Sequence, residues 1–160
     1  MIVSNSTPIS NLLHLKHVHL LQKLFGQVYI PTAVADELNV YFKSSHEFQD
    51  CLSNKRIIVK KVESVHFVKH MTPYLHQGEI EAICLCLEND AVLCLMDDKD
   101  GREVAQMNQI PITGTLGILL KAKRLGYIPE VKFLMDILRT EKHFWIAERM
   151  YQKALSLAGE

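Results

Sequence analysis

Hydrophobic positions in this chain alternate between short continuous runs and longer stretches with helical spacing. The runs are typical of strands, and leucines and valines recur every three or four residues between them. The runs are Ile2-Val3, Val28-Tyr29-Ile30, Arg56-Ile57-Ile58-Val59, Ala91-Val92-Leu93-Cys94-Leu95-Met96 and Ile110-Pro111-Ile112. The fourth run lacks any polar position, as expected for a strand buried on both faces of a parallel sheet. The alternation predicts an α/β fold with a parallel sheet and right-handed crossovers.

Local signals predict where the helices begin and end. Thr7 is the predicted N-cap of the first helix, with Pro8 at the first helical position, and Gly26 ends a pair of short helices broken near His17. Later helices are predicted over 31–38, 79–88, 99–107, 116–125, 128–138 and 144–157, while 43–49 is predicted as a loop or helix end and 60–76 has only weak periodicity. Because neither a repeat nor a linker interrupts the pattern, we expect one domain over 1–160, with 128–160 as C-terminal helices.

Composition narrows the class of protein only slightly. Lys and Arg total 18 of the 160 residues, as do Asp and Glu, so the overall charge does not discriminate between partners. No apolar run approaches the roughly 20 residues of a membrane span, and the N-terminus lacks the pattern of a signal peptide, so we expect a cytoplasmic protein. The four cysteines fit no zinc spacing and are interpreted as buried, reduced residues.

Polar residues stand where predicted elements begin or end. Asn5 follows the first strand, Glu37 lies in the helix after the second strand, Glu79 starts a later helix, and Asp97 with Asp98 closes the long apolar run. Ligands bind at the carboxyl ends of parallel strands, and gathered carboxylates are what a hard cation such as Mg²⁺ needs. This pattern predicts metal-dependent phosphodiester chemistry.

Two pairs of acids cannot both face one site. Asp98 points to the opposite side from Asp97 on an extended chain, and Glu81 lies about 200° around the helix from Glu79. We therefore expect one member of each pair to be a direct ligand. The other would orient water, cap a helix or bind a neighbouring phosphate.

Each of these residues also has a purely structural interpretation. Asn5 could cap a turn, and Glu37 could be solvated, with Asp36 as its equal rival for any ligand role. Glu79 would be favoured at a helix N-terminus by the helix dipole alone. The turn from Asp97 to Gly101 could supply the N-cap of the following helix.

Taken in order, the motifs resemble the PIN-domain family, small Mg²⁺- or Mn²⁺-dependent ribonucleases that include VapC-like toxins of toxin–antitoxin pairs. The motifs are Ile2-Val3-Ser4-Asn5-Ser6-Thr7-Pro8, Ile30-Pro31-Thr32-Ala33-Val34-Ala35-Asp36-Glu37-Leu38, Gly78-Glu79-Ile80-Glu81-Ala82-Ile83, Leu95-Met96-Asp97-Asp98 with Gly101-Arg102, and Thr113-Gly114-Thr115-Leu116-Gly117. The pattern is similar to an uncharacterised PIN-like branch, over roughly the first 125 residues. The resemblance implies a three-layer, Rossmann-like fold with a mostly parallel sheet of four to five short strands.

The resemblance also assigns roles to residues. The family's metal-binding Asp at the end of the first strand is matched here by Asn5, its helix-borne Glu by Glu37, its helix-start acid by Glu79 and its later strand-end Asp by Asp97. No acid stands at the family's last, variable position, near 113–115. These departures favour one bound ion over two.

The resemblance implies an endoribonuclease that hydrolyses RNA with metal-activated water, as the toxin of a toxin–antitoxin pair. Supporting roles fall to Asp98 or Glu81 for orienting waters, and to Thr115 for bonding a ligand or phosphate. The candidate cations for contacts with backbone phosphates are Lys99, Arg102 and Lys121, and an ordinary solvated surface role is the alternative for each of them.

Partners and rival functions follow from the same residues. We expect RNA as substrate, a small antitoxin protein as partner, and a homodimer formed through the C-terminal helices. The apolar residues of those helices are Phe133, Leu134, Ile137, Leu138, Phe144, Trp145, Ile146 and Tyr151. Asn5 and the missing late acid favour an alternative, a degenerate PIN-like module that binds RNA or protein without cutting. A doubly wound domain for a phosphorylated ligand is disfavoured, because no Gly-rich fingerprint follows the first strand.

Overall fold

A sheet of five parallel strands organises the part of the protein that the structure describes. The computed structural model describes residues 1–64 and 74–160. The strands are β1 (Ile2–Ser4), β2 (Val28–Ile30), β3 (Ile57–Val59), β4 (Leu93–Leu95) and β5 (Ile112–Thr113). Their order in the sheet is β3-β2-β1-β4-β5, and each neighbouring pair is parallel. The predicted α/β fold with a parallel sheet is confirmed.

Helices cover both faces of this sheet. The described helices are α1 (Ser6–His14), α2 (His19–Phe25), α3 (Thr32–Phe42), α4 (His46–Ser53), α5 (Gln77–Glu88), α6 (Lys99–Met107), α7 (Thr115–Arg124), α8 (Lys132–Thr140) and α9 (Glu148–Ala158). One apolar core joins one sheet face to α1–α4 and α7–α9, and a second joins the other face to α5 and α6. The predicted three-layer architecture is therefore confirmed.

The pleat of the strands distributes side chains between the two cores. In β4, Leu95 packs in the first core, whereas Cys94 and the following Met96 pack in the second. All three side chains are fully buried. The continuous apolar run around β4 thus has the physical basis that the sequence suggested, burial on both faces.

The start of α1 differs from the prediction. The helix begins at Ser6, and Asn5 rather than Thr7 is its N-cap, in an extended conformation with φ −81° and ψ −177°. Asn5 directly follows β1 and occupies the N-cap position of α1, so no loop separates the strand from the helix. Pro8 then lies in the first helical turn, where its missing N–H costs no hydrogen bond.

Residues 43–49, predicted as a loop or helix end, contain the start of a separate helix. Ser45 is the N-cap of α4, and its hydroxyl accepts a hydrogen bond of 3.4 Å from the Phe48 N–H. Phe48 and Cys51, three residues apart, are buried in the core. These two apolar positions within a polar stretch were too few to indicate a helix from the sequence.

The two C-terminal helices begin later than predicted. The Glu160 carboxylate accepts hydrogen bonds from the N–H groups of Val131 and Lys132, which places the start of α8 at Lys132 rather than Ile128. Residues 144–147 are irregular, and α9 starts at Glu148. The prediction that 128–160 forms the helical end of one domain stays a prediction. Of the weakly periodic stretch 60–76, residues 65–73 lie outside the described part of the chain.

The four cysteines are buried free thiols. Burial raises the pKa of the Cys84 thiol to about 11. A hydrogen bond with Cys94, together with burial, raises the pKa of Cys86 further still. Thiols held in this state are packing residues rather than nucleophiles. None of the described helices has the length and apolar character that a membrane crossing requires.

Candidate active site

The predicted ligand residues line one cleft at the carboxyl end of the sheet. The order of strands reverses between β1 and β4, which lie side by side, and the Asn5 N–H donates a 3.0 Å hydrogen bond to the Leu95 carbonyl. A cleft of about 1210 Å³ opens there, and its walls include Asn5, Glu37, Glu79 and Asp97. Four segments far apart in sequence thus bring oxygen-bearing side chains to one place, where doubly wound sheets bind ligands.

Asp97 is fixed by the start of α7. Its Oδ1 accepts a 2.8 Å hydrogen bond from the Thr115 N–H, and its Oδ2 accepts a 2.6 Å hydrogen bond from the Thr115 hydroxyl. Thr115 in turn accepts a 3.1 Å hydrogen bond from the Asn11 side chain. Burial raises the pKa of Asp97, against the hydrogen bonds from Thr115 and the charge of Arg102. Thr115 and Asn11 therefore position this carboxylate within the cleft.

Glu79 lines the cleft close to two other acids, Asp98 and Glu37. It is 9% exposed, and its Oε2 accepts a 3.1 Å hydrogen bond from the His76 N–H at the start of α5. Burial raises the pKa of Glu79, and the negative charges of Asp98 and Glu37 raise it further, against the hydrogen bond from His76. A carboxyl whose charge is disfavoured in this way is stabilised by a nearby positive charge.

Asn5 carries an unsatisfied oxygen. The residue is 2% exposed, and its buried Oδ1 accepts no hydrogen bond from any residue in the described ranges 1–64 and 74–160. Such an atom normally finds a partner, because leaving it unpaired costs about 1–3 kcal/mol. An orphaned acceptor in a cleft lined by carboxylates is a suitable ligand for a cation.

Glu37 reaches the cleft because the facing residue of α5 has no side chain. A Cβ placed on Gly78 would stand 2.6 Å from Glu37 Oε1 and 3.1 Å from its Cδ. Helices α3 and α5 therefore approach closely at this glycine. Of the two rival acids on α3, Glu37 lines the cleft, whereas Asp36 is solvent-exposed.

Replacing Gly78 with alanine is expected to displace the Glu37 carboxylate and, for the ribonuclease that the sequence predicts, to lower cleavage by about tenfold, in the manner of other supporting residues around metal sites. The melting temperature should change little, because the flexible end of the Glu37 side chain can move away from the new methyl group. Cleavage rates and thermal melts check both effects. In a variant that already carries Glu37→Ala, adding Gly78→Ala should not lower the cleavage rate further. If it did lower the rate by the same factor, Gly78→Ala would not act through Glu37.

Two further predicted acids are engaged at helix starts. Asp98 is the N-cap of α6, and its Oδ1 accepts hydrogen bonds from the N–H groups of Asp100 (2.9 Å) and Gly101 (3.0 Å), although the residue also borders the cleft. Glu81 accepts a 3.0 Å hydrogen bond from the Ala33 N–H at the start of α3. Their predicted roles in orienting water or binding phosphate stay predictions. The structural interpretation, capping, is the one that the hydrogen bonds support.

The predicted phosphate-binding cations occupy different environments. Arg102 lines the cleft and donates a 2.8 Å hydrogen bond from Nη1 to the Met96 carbonyl, at the end of β4. Lys99 also lines the cleft, and its side chain is 85% exposed. Lys121 instead lies with Nζ 4.6 Å from the centre of the Phe25 ring. Arg102 and Lys99 are thus placed to meet a ligand in the cleft.

The C-terminal segment supplies cleft residues that sequence reasoning missed. Lys142, Phe144, Trp145 and Ile146 line the cleft, although they follow the last predicted family motif. Asn11 was also missed, and it had a visible signal: a polar residue on the apolar face of α1, buried at 2% exposure. No comparable signal marks the irregular segment around Lys142.

The oxygen atoms of the candidate ligands are of the chemical type that Mg²⁺ or Mn²⁺ binds. Asn5, Glu37, Glu79 and Asp97 offer oxygen ligands, which hard divalent cations prefer, and the orphaned Asn5 oxygen is of that kind. Within the described residues, no three His, Cys, Asp or Glu side chains converge closely enough to enclose an ion. Asp97 and Glu79 are instead held by hydrogen bonds from Thr115 and His76.

Comparison with known proteins agrees with this architecture. The family model described as "DUF3368: PIN domain" matches residues 1–160. The chain therefore belongs to the PIN-domain family. PIN domains are generally nucleases and typically use divalent metals. A comparison with curated proteins finds no significant match.

Proposed function

We propose that this PIN domain is a metal-dependent endoribonuclease, the toxin of a toxin–antitoxin pair, that hydrolyses RNA phosphodiester bonds. The observation that carries the proposal is the meeting of Asn5, Glu37, Glu79 and Asp97 in one cleft between β1 and β4. Three of the four are acids, and a cleft that gathers several carboxylates favours a bound cation. The raised pKa of Glu79, caused by burial and by the neighbouring acids, supports the same conclusion.

In this proposal some residues would bind the metal ion, and another orients one of those ligands. Asn5, Glu37, Glu79 and Asp97 would hold Mg²⁺ or Mn²⁺, which when bound would stabilise charge on the phosphodiester and lower the pKa of the attacking water. Thr115 keeps Asp97 in place through its hydroxyl and its N–H. Such supporting hydrogen bonds fix the orientation of metal ligands.

Substrate and partners complete the proposal. Arg102 and Lys99, at the rim of the cleft, would contact backbone phosphates of the RNA. A small antitoxin protein and a homodimer belong to the proposal as well. Of the apolar residues expected at a dimer surface, Leu134, Leu138 and Tyr151 are buried in the core, whereas Phe133 is 60% exposed. Only the exposed members could take part in a contact between subunits.

A cleavage assay tests the function directly. Purified protein with Mn²⁺ or Mg²⁺ should cut an unstructured RNA oligonucleotide internally, and excess EDTA should stop the reaction because cleavage needs the cation. Ca²⁺ in place of Mn²⁺ serves as a control for charge without the preferred octahedral geometry. RNA left intact with every divalent cation, by protein shown to be folded, would refute the nuclease.

A second candidate function is a PIN-like module that binds RNA or protein without cutting. Two observations favour it: an amide stands at position 5, and hydrogen bonds from Thr115 and His76 already satisfy Asp97 and Glu79. Calorimetry separates the two functions. A nuclease should bind Mn²⁺ in a manner that depends on Glu37 and Asp97, whereas a non-catalytic module should show no such binding.

A further inference from the structure

Besides its carboxylates, the cleft is lined by residues of a different chemistry. Its walls include Lys142, Trp145, Tyr41 and the hydroxyl-bearing Ser10. The whole cleft, about 1210 Å³, exceeds the roughly 300–1,000 Å³ of sites for small molecules. It therefore has room for an extended ligand that reaches past the acids.

Lys142 carries a positive charge that no acid neutralises. Its Nζ donates a 2.7 Å hydrogen bond to the Ser10 hydroxyl, and within residues 1–64 and 74–160 it forms no ion pair. Lys132, by contrast, pairs with Asp136 at 2.8 Å. Burial lowers the pKa of Lys142, as expected for a cation that lacks a counterion. An anionic ligand in the cleft would supply that counterion.

Trp145 and Tyr41 present aromatic surface to the same cleft. Trp145 is 83% exposed and Tyr41 is 82% exposed. Both line the cleft, and Trp145 lies only three residues after Lys142. A cation beside exposed aromatic rings is the combination with which proteins bind single-stranded nucleic acid, because phosphates meet the charge and unpaired bases stack on the rings.

We propose that Lys142 and Trp145 form a subsite for one unpaired nucleotide of the RNA, with its phosphate on the ammonium group and its base on the indole. This subsite rests on the proposed ribonuclease function and names its substrate as a single strand at this position. The subsite would also offset the repulsion between the RNA and the acids of the cleft. A polyanion approaching Glu37, Glu79 and Asp97 is repelled, and Lys142 supplies attraction in the same cleft.

An apolar peptide is the rival occupant of this surface. Lys142 favours the nucleic acid, because a half-buried ammonium group held only by a hydroxyl disfavours an apolar ligand. A peptide with the same apolar character as the C-terminal helices serves as a comparison ligand in the experiment.

Trp145 is the only tryptophan of the chain, so its fluorescence reports on this subsite alone. Titration with a short unstructured RNA oligonucleotide in EDTA should quench the emission to saturation, whereas a duplex of the same sequence should not. With a labelled oligonucleotide, Trp145→Ala should weaken binding about tenfold and Trp145→Phe much less, because phenylalanine still stacks. Lys142→Gln should weaken binding and lower its dependence on salt by about one phosphate contact.

Two matched variants control for nonspecific effects. Phe133→Ala removes another exposed aromatic ring, and Lys153→Gln removes another exposed cation; neither residue lines the cleft, so both variants should bind as the unmodified protein does. Unchanged affinity for Trp145→Ala, equal quenching by duplex RNA, or quenching by the peptide but not by RNA would each overturn the subsite.

The binding measurement separates this proposal from the nuclease. EDTA removes the cation, so quenching without any later cleavage would leave the subsite intact and refute the ribonuclease. If the protein cleaved RNA but Trp145→Ala bound RNA normally, the ribonuclease would stand and the subsite would be refuted.

Discussion

Replacing Asp97 with asparagine is expected to reduce RNA cleavage by about 100-fold or more, because a direct ligand should cost more than the supporting residues of metal sites. Asparagine keeps one acceptor for the Thr115 N–H and the same shape, so the fold should survive. Since burial raises the pKa of Asp97, the neutral side chain should also raise the melting temperature of the metal-free protein by a few degrees. Cleavage rates and melts with and without Mn²⁺ check the prediction.

Mn²⁺ should raise the melting temperature of the unmodified protein and leave that of Asp97→Asn unchanged, because only binding to the folded state stabilises it. Asp100→Asn is the matched control. Asp100 is exposed in the first turn of α6, and the same change there should alter neither cleavage nor the response to Mn²⁺. Full cleavage by Asp97→Asn would remove the proposed ligand set.

Replacing Asn5 with aspartate should have two opposite effects. In metal-free protein, a buried charge with no partner beside Glu79 and Asp97 should lower the free energy of unfolding by about 2 kcal/mol or more. With Mn²⁺, the added carboxylate should tighten cation binding by roughly tenfold and raise the cleavage rate, because ligand charge tunes the affinity of such sites. Melting in EDTA and calorimetry with Mn²⁺ measure the two effects.

Gln106→Glu provides the same amide-to-acid change at an exposed position of α6. It should affect neither the metal-free melting temperature nor the affinity for Mn²⁺ by a comparable amount. If Asn5→Asp destabilised the protein equally in the presence and absence of Mn²⁺, the orphaned oxygen of Asn5 would not face a cation site.

The sheet was predictable because its strands are short apolar runs bounded by turn residues. The position of the cleft was predictable for a related reason. Asn5 follows β1 directly and Asp97 follows β4 after one residue, and a doubly wound topology places these two strands side by side. The sequence favoured Glu79 and Asp97 as ligands, but spacing alone could not show which roles Glu81 and Asp98 take, and Asp98 borders the cleft as well. Hydrogen bonds to Ala33 and Gly101 show that Glu81 and Asp98 also serve as helix caps.

The remaining parts of the site depend on tertiary contacts that no local pattern encodes. Lys142 and Trp145 belong to an irregular segment before α9, and they line the cleft in a fold where α9 packs against α7. Asn11 is different, because a buried amide on an apolar helix face can be noticed in sequence. Its partner, Thr115, could not be identified without the fold.

The bridge between Asp97 and Thr115 has a consequence for how the protein is made. Because β4 ends before its anchoring helix has been synthesised, a nascent chain emerging from the ribosome cannot set this carboxylate until α7 has followed. The candidate site is therefore completed only after α7 has been translated, later than the segments that carry Asn5, Glu37 and Glu79.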